Sequence, residues 1–479
     1  MRFALLLTCG VLMLQPGLCL GQDQTSLQLG KQALVSQLWE VAAEHFVLQL
    51  KQQDLSAEQR HEATFGLAEA WLRDGKAQQV LTLLNQSDLA QLPETVFWKG
   101  QALAATGRFA QAVETLTPLI AIKEFGYRVE AGQTVASLQL ALDQSDDAIK
   151  TLSAVVQNSS PEVASNLRMR QVEILLDLGR DKQAAEILPE SAKLSAGQQG
   201  AADFLRAILL ERQGEHAKAA ALFKQLAQAP DALDLKRHQD ARIGQARCLL
   251  RLGQSDAAAE QLLNLVQEDP ENARLDEIFQ LILEAIPSNP TATDPILTRL
   301  HGWIGTSEKP PTGLIPTDEC HAVSAWPDQT PTSDLTAFCL YTRAIGLSRF
   351  GTPDAKLEAH HLLTRLRLEY PTHFLTNRSL LIEAQWHLDN QQIGRAHHLL
   401  GVLGETATSP LIMGRAAFLQ AQSTALLGSD PKAAAQLFEQ AAAHLRGVEA
   451  EIAHYNAALI QLVQNHTGTD PVLATAPRI

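Results

Sequence analysis

Residues 98–118 read WKGQALAATGRFAQAVETLTP. Gly100 and Leu103 stand three apart, which puts them on one face of a helix. Gly107-Arg108-Phe109 interrupts that helix, because glycine is the residue that turns a chain sharply at a helix end. Ala112 and Leu116 stand four apart on a second helix, and Pro118 closes the unit. The stretch is therefore a helical hairpin with a small residue on one arm, a glycine turn, and a small and a large residue on the other.

The hairpin recurs along the chain. Ala68, Trp71, Gly75, Val80 and Leu84 fill the same slots upstream, and Val172, Leu175, Gly179, Ala184 and Leu188 fill them downstream. Ala207, Leu210, Gly214, Ala219 and Phe223 follow, then Ala246, Leu249, Gly253, Ala258 and Leu262. A weaker first copy uses Gly30, Ala33, Trp39, Ala42 and Phe46, and a degenerate one Ala136, Ala148 and Leu152. With the degenerate copy inserted, the turn glycines recur at intervals of about 32 to 39 residues, a solenoid period. Small side chains let paired helices approach, large neighbours fill the space between pairs, and no pair can bury its apolar stripe without the next.

These slots resemble the tetratricopeptide repeat, whose period is about 34 residues. The resemblance implies an all-α fold, an α-α solenoid wound as a right-handed superhelix of helical hairpins, here in two blocks separated by a Pro-rich insert. The expected organisation is a signal peptide over 1–21, an N-terminal array over 22–286, a Pro/Thr/Asp-rich insert or linker over 287–335, a C-terminal array with a capping helix over 336–466, and a loose tail over 467–479. The insert carries Pro287, Pro290, Pro295, Pro310, Pro311, Pro316, Pro327 and Pro331, with one short helix expected around 296–304. Thr352-Pro353 and Asp430-Pro431 set a capping side chain before proline at a first helical position and mark two further helix starts.

Composition agrees with helices. Hydrophobic residues make up 46% of the 479 positions but aromatics only 5%, so Leu and Ala carry the apolar content, a mixture that favours helix over strand. The net charge of −14 is spread through both signs without a basic run, which argues against nucleic acid as a partner. Arg2, the apolar stretch 4–14 and the small residues Cys19 and Gly21 read as an export signal cut after Gly21. The expected locations are a periplasm first and the extracellular space second. The mature chain contains no run of the ~20 apolar residues a membrane helix needs. Cys320 and Cys339 form a candidate disulfide in such a compartment, and Cys248 reads as a buried thiol.

No nucleophile elbow, phosphate loop or dinucleotide fingerprint is present, and His61-Glu62 lacks the second histidine of a zinc-protease helix because Phe65 stands there. No catalytic, cofactor-binding or metal-ligating residue is assigned, and no cofactor is expected. The doublets His360-His361 and His397-His398 occupy matching slots of successive repeats. Adjacent residues point about 100° apart on a helix, poor geometry for one ion.

The resemblance implies a concave groove lined by the first helix of each hairpin, helix A. On this chain the groove positions are Glu62, Phe65 and Glu69; Phe97 and Gln101; Met169, Glu173 and Asp177; Phe204, Ile208 and Arg212; and Ile243, Arg247 and Arg251. Family members that clamp a terminal carboxylate use paired lysine and asparagine on helix A. Glu69, Gln101, Glu173, Ile208 and Arg247 take the asparagine slot here, so no such clamp is expected. The implied function is a non-catalytic scaffold of the cell envelope that binds peptide segments or partner helices of other proteins. The alternatives are a histidine-rich metal-binding or hydrolytic protein using the C-terminal block, and a self-assembling structural protein.

Overall fold

The computed structural model describes residues 25–85, 89, 91–229, 233–290, 294–304, 334–428 and 430–466. Among them are 23 α-helices and no strand. The export signal, the tail and Cys320 lie outside the described residues, as does 305–333 of the Pro-rich segment. The chain divides into two compact units, one ending at Leu209 and one beginning at Leu210.

Unit 1 is a run of hairpins: α1 (Ser26–Val35) with α2 (Trp39–Leu50), α3 (Ala57–Arg73) with α4 (Ala77–Asn85), α5 (Pro93–Ala105) with α6 (Phe109–Leu116), α7 (Arg128–Ala141) with α8 (Ser145–Val156), and α9 (Pro161–Asp177) with α10 (Asp181–Ile187). The unit boundary falls inside α11 (Ala196–Arg212). Unit 2 continues with α12 (His216–Ala227), α13 (Leu235–Arg251), α14 (Ser255–Glu268), α15 (Leu275–Ala285) and α16 (Pro295–Ile304). After the Pro-rich segment come α17 (Asp334–Ser348), α18 (Pro353–Glu369), α19 (Phe374–Asp389), α20 (Ile393–Thr406), α21 (Pro410–Leu427), α22 (Pro431–His444) and α23 (Val448–His466). Each unit is thus an all-α solenoid of stacked hairpins.

The turns repeat at the level of the backbone. Gly107 has φ of 78°, and Arg108 N–H reaches back to Leu103 O at 2.9 Å. This backbone bond closes the helix end, and glycine adopts the left-handed conformation without steric cost. Gly75, Gly179, Gly214 and Gly253 hold the same conformation. Gln37, Asp143 and Gln391 do so as well, at φ of 58°, 59° and 61°, and each is followed by the same backward bond, such as Gln392 N–H to His387 O at 2.8 Å. In these three turns the geometry is kept although glycine is not.

Helix starts follow the local chemistry. The Ser56 hydroxyl accepts from Gln59 N–H while the Gln59 side chain accepts from Ser56 N–H, and Thr25 with Gln28 does likewise. Thr352 and Asp430 cap α18 and α22, each with proline at the next position. These contacts satisfy amide groups that a helix N-terminus otherwise leaves open.

Close packing comes from glycine set against large side chains. Phe46 on α2 is fully buried and lies against both Gly30 of α1 and Gly66 of α3. Gly132 faces Val155, and Gly244 faces Phe223. In unit 2 the sequence repeat lapses over the Pro-rich segment, yet α15 packs on α13, α14 and α17, and α16 on α14 and α17. One core takes in Leu262, Ile282, Leu300, Leu340 and Leu363, from helices on both sides of that segment.

Candidate interaction face

The groove positions separate by burial. Phe97, Met169, Phe204 and Ile243 turn inward, Ile243 completely, and belong to the packed interior rather than to a lining open to a partner. Their slot is covered because the next hairpin lies over it. Phe65, Glu69, Gln101, Glu173, Ile208 and Arg247 are half-buried, while Glu62, Asp177, Arg212 and Arg251 are exposed.

In unit 1 this face centres on an aromatic cluster. Phe97 of α5 stacks on Tyr127 at the start of α7, ring centroids 4.6 Å apart and planes inclined by 10°. Trp98 and Phe125 meet the Tyr127 ring edge-on at 5.7 and 5.8 Å. Tyr127 is 37% exposed and Trp98 only 5%. The buried indole N–H of Trp98 has no acceptor among the described residues, nor does the neighbouring Thr95 hydroxyl have a partner. Burial, followed by the charges of Glu69, Glu130 and Glu94, pushes the Tyr127 hydroxyl above its ordinary pKa. Gln101 bonds Thr134 at 2.9 Å, joining α5 to α7, and Glu62 pairs with Lys31 at 2.7 Å. Tyr127, Trp98, Glu94 and Glu130 were not among the positions that the resemblance assigned. The signal available for them was the crowding of Phe97, Trp98, Phe125 and Tyr127 in a chain poor in aromatics.

In unit 2 the corresponding face carries paired charges. Arg247 Nε and Nη2 donate to the two carboxylate oxygens of Glu211 at 2.7 and 3.0 Å, and Nη1 donates to Glu277 at 2.6 Å. Arg274 bonds both Glu277 and Asp240. Arg378 reaches Asp276 at 3.1 Å, which extends the pairing from α15 to α19. The Glu211 hydrogen bond, opposed by burial, raises the pKa of the Arg247 guanidinium. The two-pronged geometry suits arginine, whose planar fork matches a carboxylate.

Residues 210–278, from Leu210 into α15, match a family model described as tetratricopeptide repeat. Residues 210–278 carry the tetratricopeptide repeat. No curated protein matches the sequence. Among solved structures, yeast Tom70 is similar at 15% identity, with 95% of this chain and 99% of that one covered and a TM-score of 0.42. The apo quorum sensor NprR from B. thuringiensis is similar at 13% identity, 71% and 97% coverage and a TM-score of 0.41. The Cut9–Hcn1 hetero-tetramer of the APC/C is similar at 13%, 92% and 86%, with 0.38.

The histidine doublets have a place within the helical hairpins of unit 2. His360 on α18 turns to Glu383 of the next A helix at 2.8 Å, and His397 on α20 turns to Ser423 at 2.9 Å. Both partners are buried. The second histidine of each doublet, His361 or His398, is exposed. Among the described residues no three His, Cys, Asp or Glu side chains converge as metal ligands would. Cys248 and Cys339 are fully buried and have no disulfide partner among the described residues, and burial raises the pKa of each thiol, that of Cys248 to about 12. The other half of the candidate disulfide, Cys320, lies outside the described residues. No helix of the described residues is long and apolar enough to cross a membrane.

Proposed function

We propose that this chain is a non-catalytic scaffold of the cell envelope, exported to the periplasm, that binds extended peptide segments or partner helices of other proteins on the A-helix face of its hairpins. The family is one of protein-interaction scaffolds, and that is the coarse reading. The observation that carries the finer one is the aromatic and acidic face of unit 1, where Phe65, Glu69, Gln101 and Tyr127 from three successive A helices present half-buried or exposed surface side by side. Alternating apolar and charged positions suit an extended segment held in side-chain pockets and steered by charge. The envelope assignment rests on the N-terminal export pattern in the sequence.

Photo-crosslinking side chains placed at Glu62 and Asp177, both exposed, should capture a protein partner in the native compartment. Recovery of none under conditions that capture known envelope complexes would defeat the scaffold. Mature protein should begin at Gln22 by N-terminal sequencing. A retained Met1 in protein fractionating with the cytosol would defeat the envelope assignment alone.

A further inference from the structure

We infer that the unit 1 face around Tyr127 receives a basic side chain, lysine or arginine, from an extended partner segment. This rests on the scaffold reading above and names the partner's chemistry. The two units solve the same electrostatic problem differently. In unit 2, Arg247 lies between carboxylates of neighbouring A helices, Glu211 and Glu277, and pairs with both, Arg274 also pairing with Glu277. The matching slot in unit 1 holds Gln101, which carries no charge and is bonded to Thr134. Glu69, Glu94 and Glu130, contributed by α3, α5 and α7, all act on the Tyr127 hydroxyl, and none has a cationic partner among the described residues.

The Tyr127 face therefore lacks a cation in the slot that Arg247 fills in unit 2 and has an aromatic surface in its place, while the buried Arg128 is turned to the end of α8. Ring faces attract cations, and more so where carboxylates add to the field. An acidic partner would be repelled, and a purely apolar one would leave three carboxylates beside it without compensation. The Trp98 indole N–H, edge-on to the same ring, is buried and has no acceptor among the described residues.

The test uses the full mature chain and two fluorescent peptides of equal length, one alternating lysine with leucine and one alternating glutamate with leucine. The lysine peptide should bind and the glutamate peptide should not. Glu69→Gln, Glu94→Gln and Glu130→Gln combined should weaken the lysine peptide roughly tenfold, equivalent to about 1.4 kcal/mol. Tyr127→Ala should weaken it as well, while Glu405→Gln, an exposed control in unit 2, should not. Gln101→Arg, which supplies the missing cation from within, should block binding. All the variants change accessible or half-buried side chains, and helical circular dichroism checks that each is folded. Undiminished binding by the triple variant, or by Gln101→Arg, overturns the inference. If photo-crosslinking captures a partner that docks away from Tyr127, the scaffold stands and this site falls. If the lysine peptide behaves as described and no partner is captured, the site stands and the scaffold falls.

Discussion

Gly100 on α5 lies directly against Leu116 on α6: a methyl group at position 100 would stand 2.4 Å from Leu116 Cγ and Cδ2. Leu116 is completely enclosed and has nowhere to withdraw. Gly100→Ala improves helix propensity but overpacks the hairpin, so it should destabilise the chain by about 1–3 kcal/mol. Urea unfolding followed by circular dichroism measures this, and a stabilised variant would show that the hairpin is looser than its packing indicates.

Gln391 holds a left-handed turn that glycine holds in the well-formed repeats. A non-glycine residue in that conformation costs on the order of 1 kcal/mol, partly offset by the greater chain entropy of glycine. Gln391→Gly should therefore raise the thermal midpoint, whereas Gly107→Gln should lower it. Equal midpoints for both variants and the parent would remove the strain argument.

Arg128 is 3% exposed, and its Nη2 donates to Val155 O at 3.1 Å, Asn158 O at 2.7 Å and Ser159 Oγ at 3.1 Å, closing the end of α8. A cation there also complements the negative end of the helix. Arg128→Ala leaves these acceptors without their donor and should cost about 2–3 kcal/mol. Hydrogen exchange should show the loss concentrated at the C-terminal end of α8.

Stability should fall on acidification in two windows. His373 caps α19 by accepting from Leu375 N–H on its Nδ1 at 3.2 Å, a role that protonation abolishes. Burial lowers its pKa below 6.5, with Asp334 countering in part. The folded state thus binds this proton less readily than the unfolded state, so stability declines as pH drops below 6.5 toward the folded value. For Glu383, burial acts upward but the His360 hydrogen bond and Arg367 outweigh it, holding the carboxyl below 4.5. Its contribution is present above pH 4.5 and is lost as pH falls through the folded value. Urea midpoints between pH 3 and 8 follow both windows. His373→Asn, which caps without titrating, should flatten the upper one and leave the lower.

Much of the architecture could be read from the amino acids. Glycine at 75, 107, 179, 214 and 253, alanine at 112, 184, 219 and 258, and the capping pairs at 352–353 and 430–431 are local signals, because helix periodicity, turn conformation and end-capping each depend on a few neighbouring residues. The turns at Gln37, Asp143 and Gln391 carry no such local signal. Their backbone is held in the left-handed form by the packed hairpin around it, not by the residue's own preference.

The interaction face was decided by tertiary structure. A position on helix A is exposed or enclosed according to what the neighbouring hairpin lays over it, so Ile243 is sealed while Arg247, one turn further on, stays half-open. Charge pairing obeys the same logic. Arg247 meets Glu211 and Glu277 across separations of 36 and 30 residues, and Tyr127 meets Phe97 across one repeat. Periodic spacing alone determined that this chain stacks helical hairpins. The stack itself determined which carboxylates find a cation within the protein, because a charge is neutralised only by what folding brings to within a few ångströms of it.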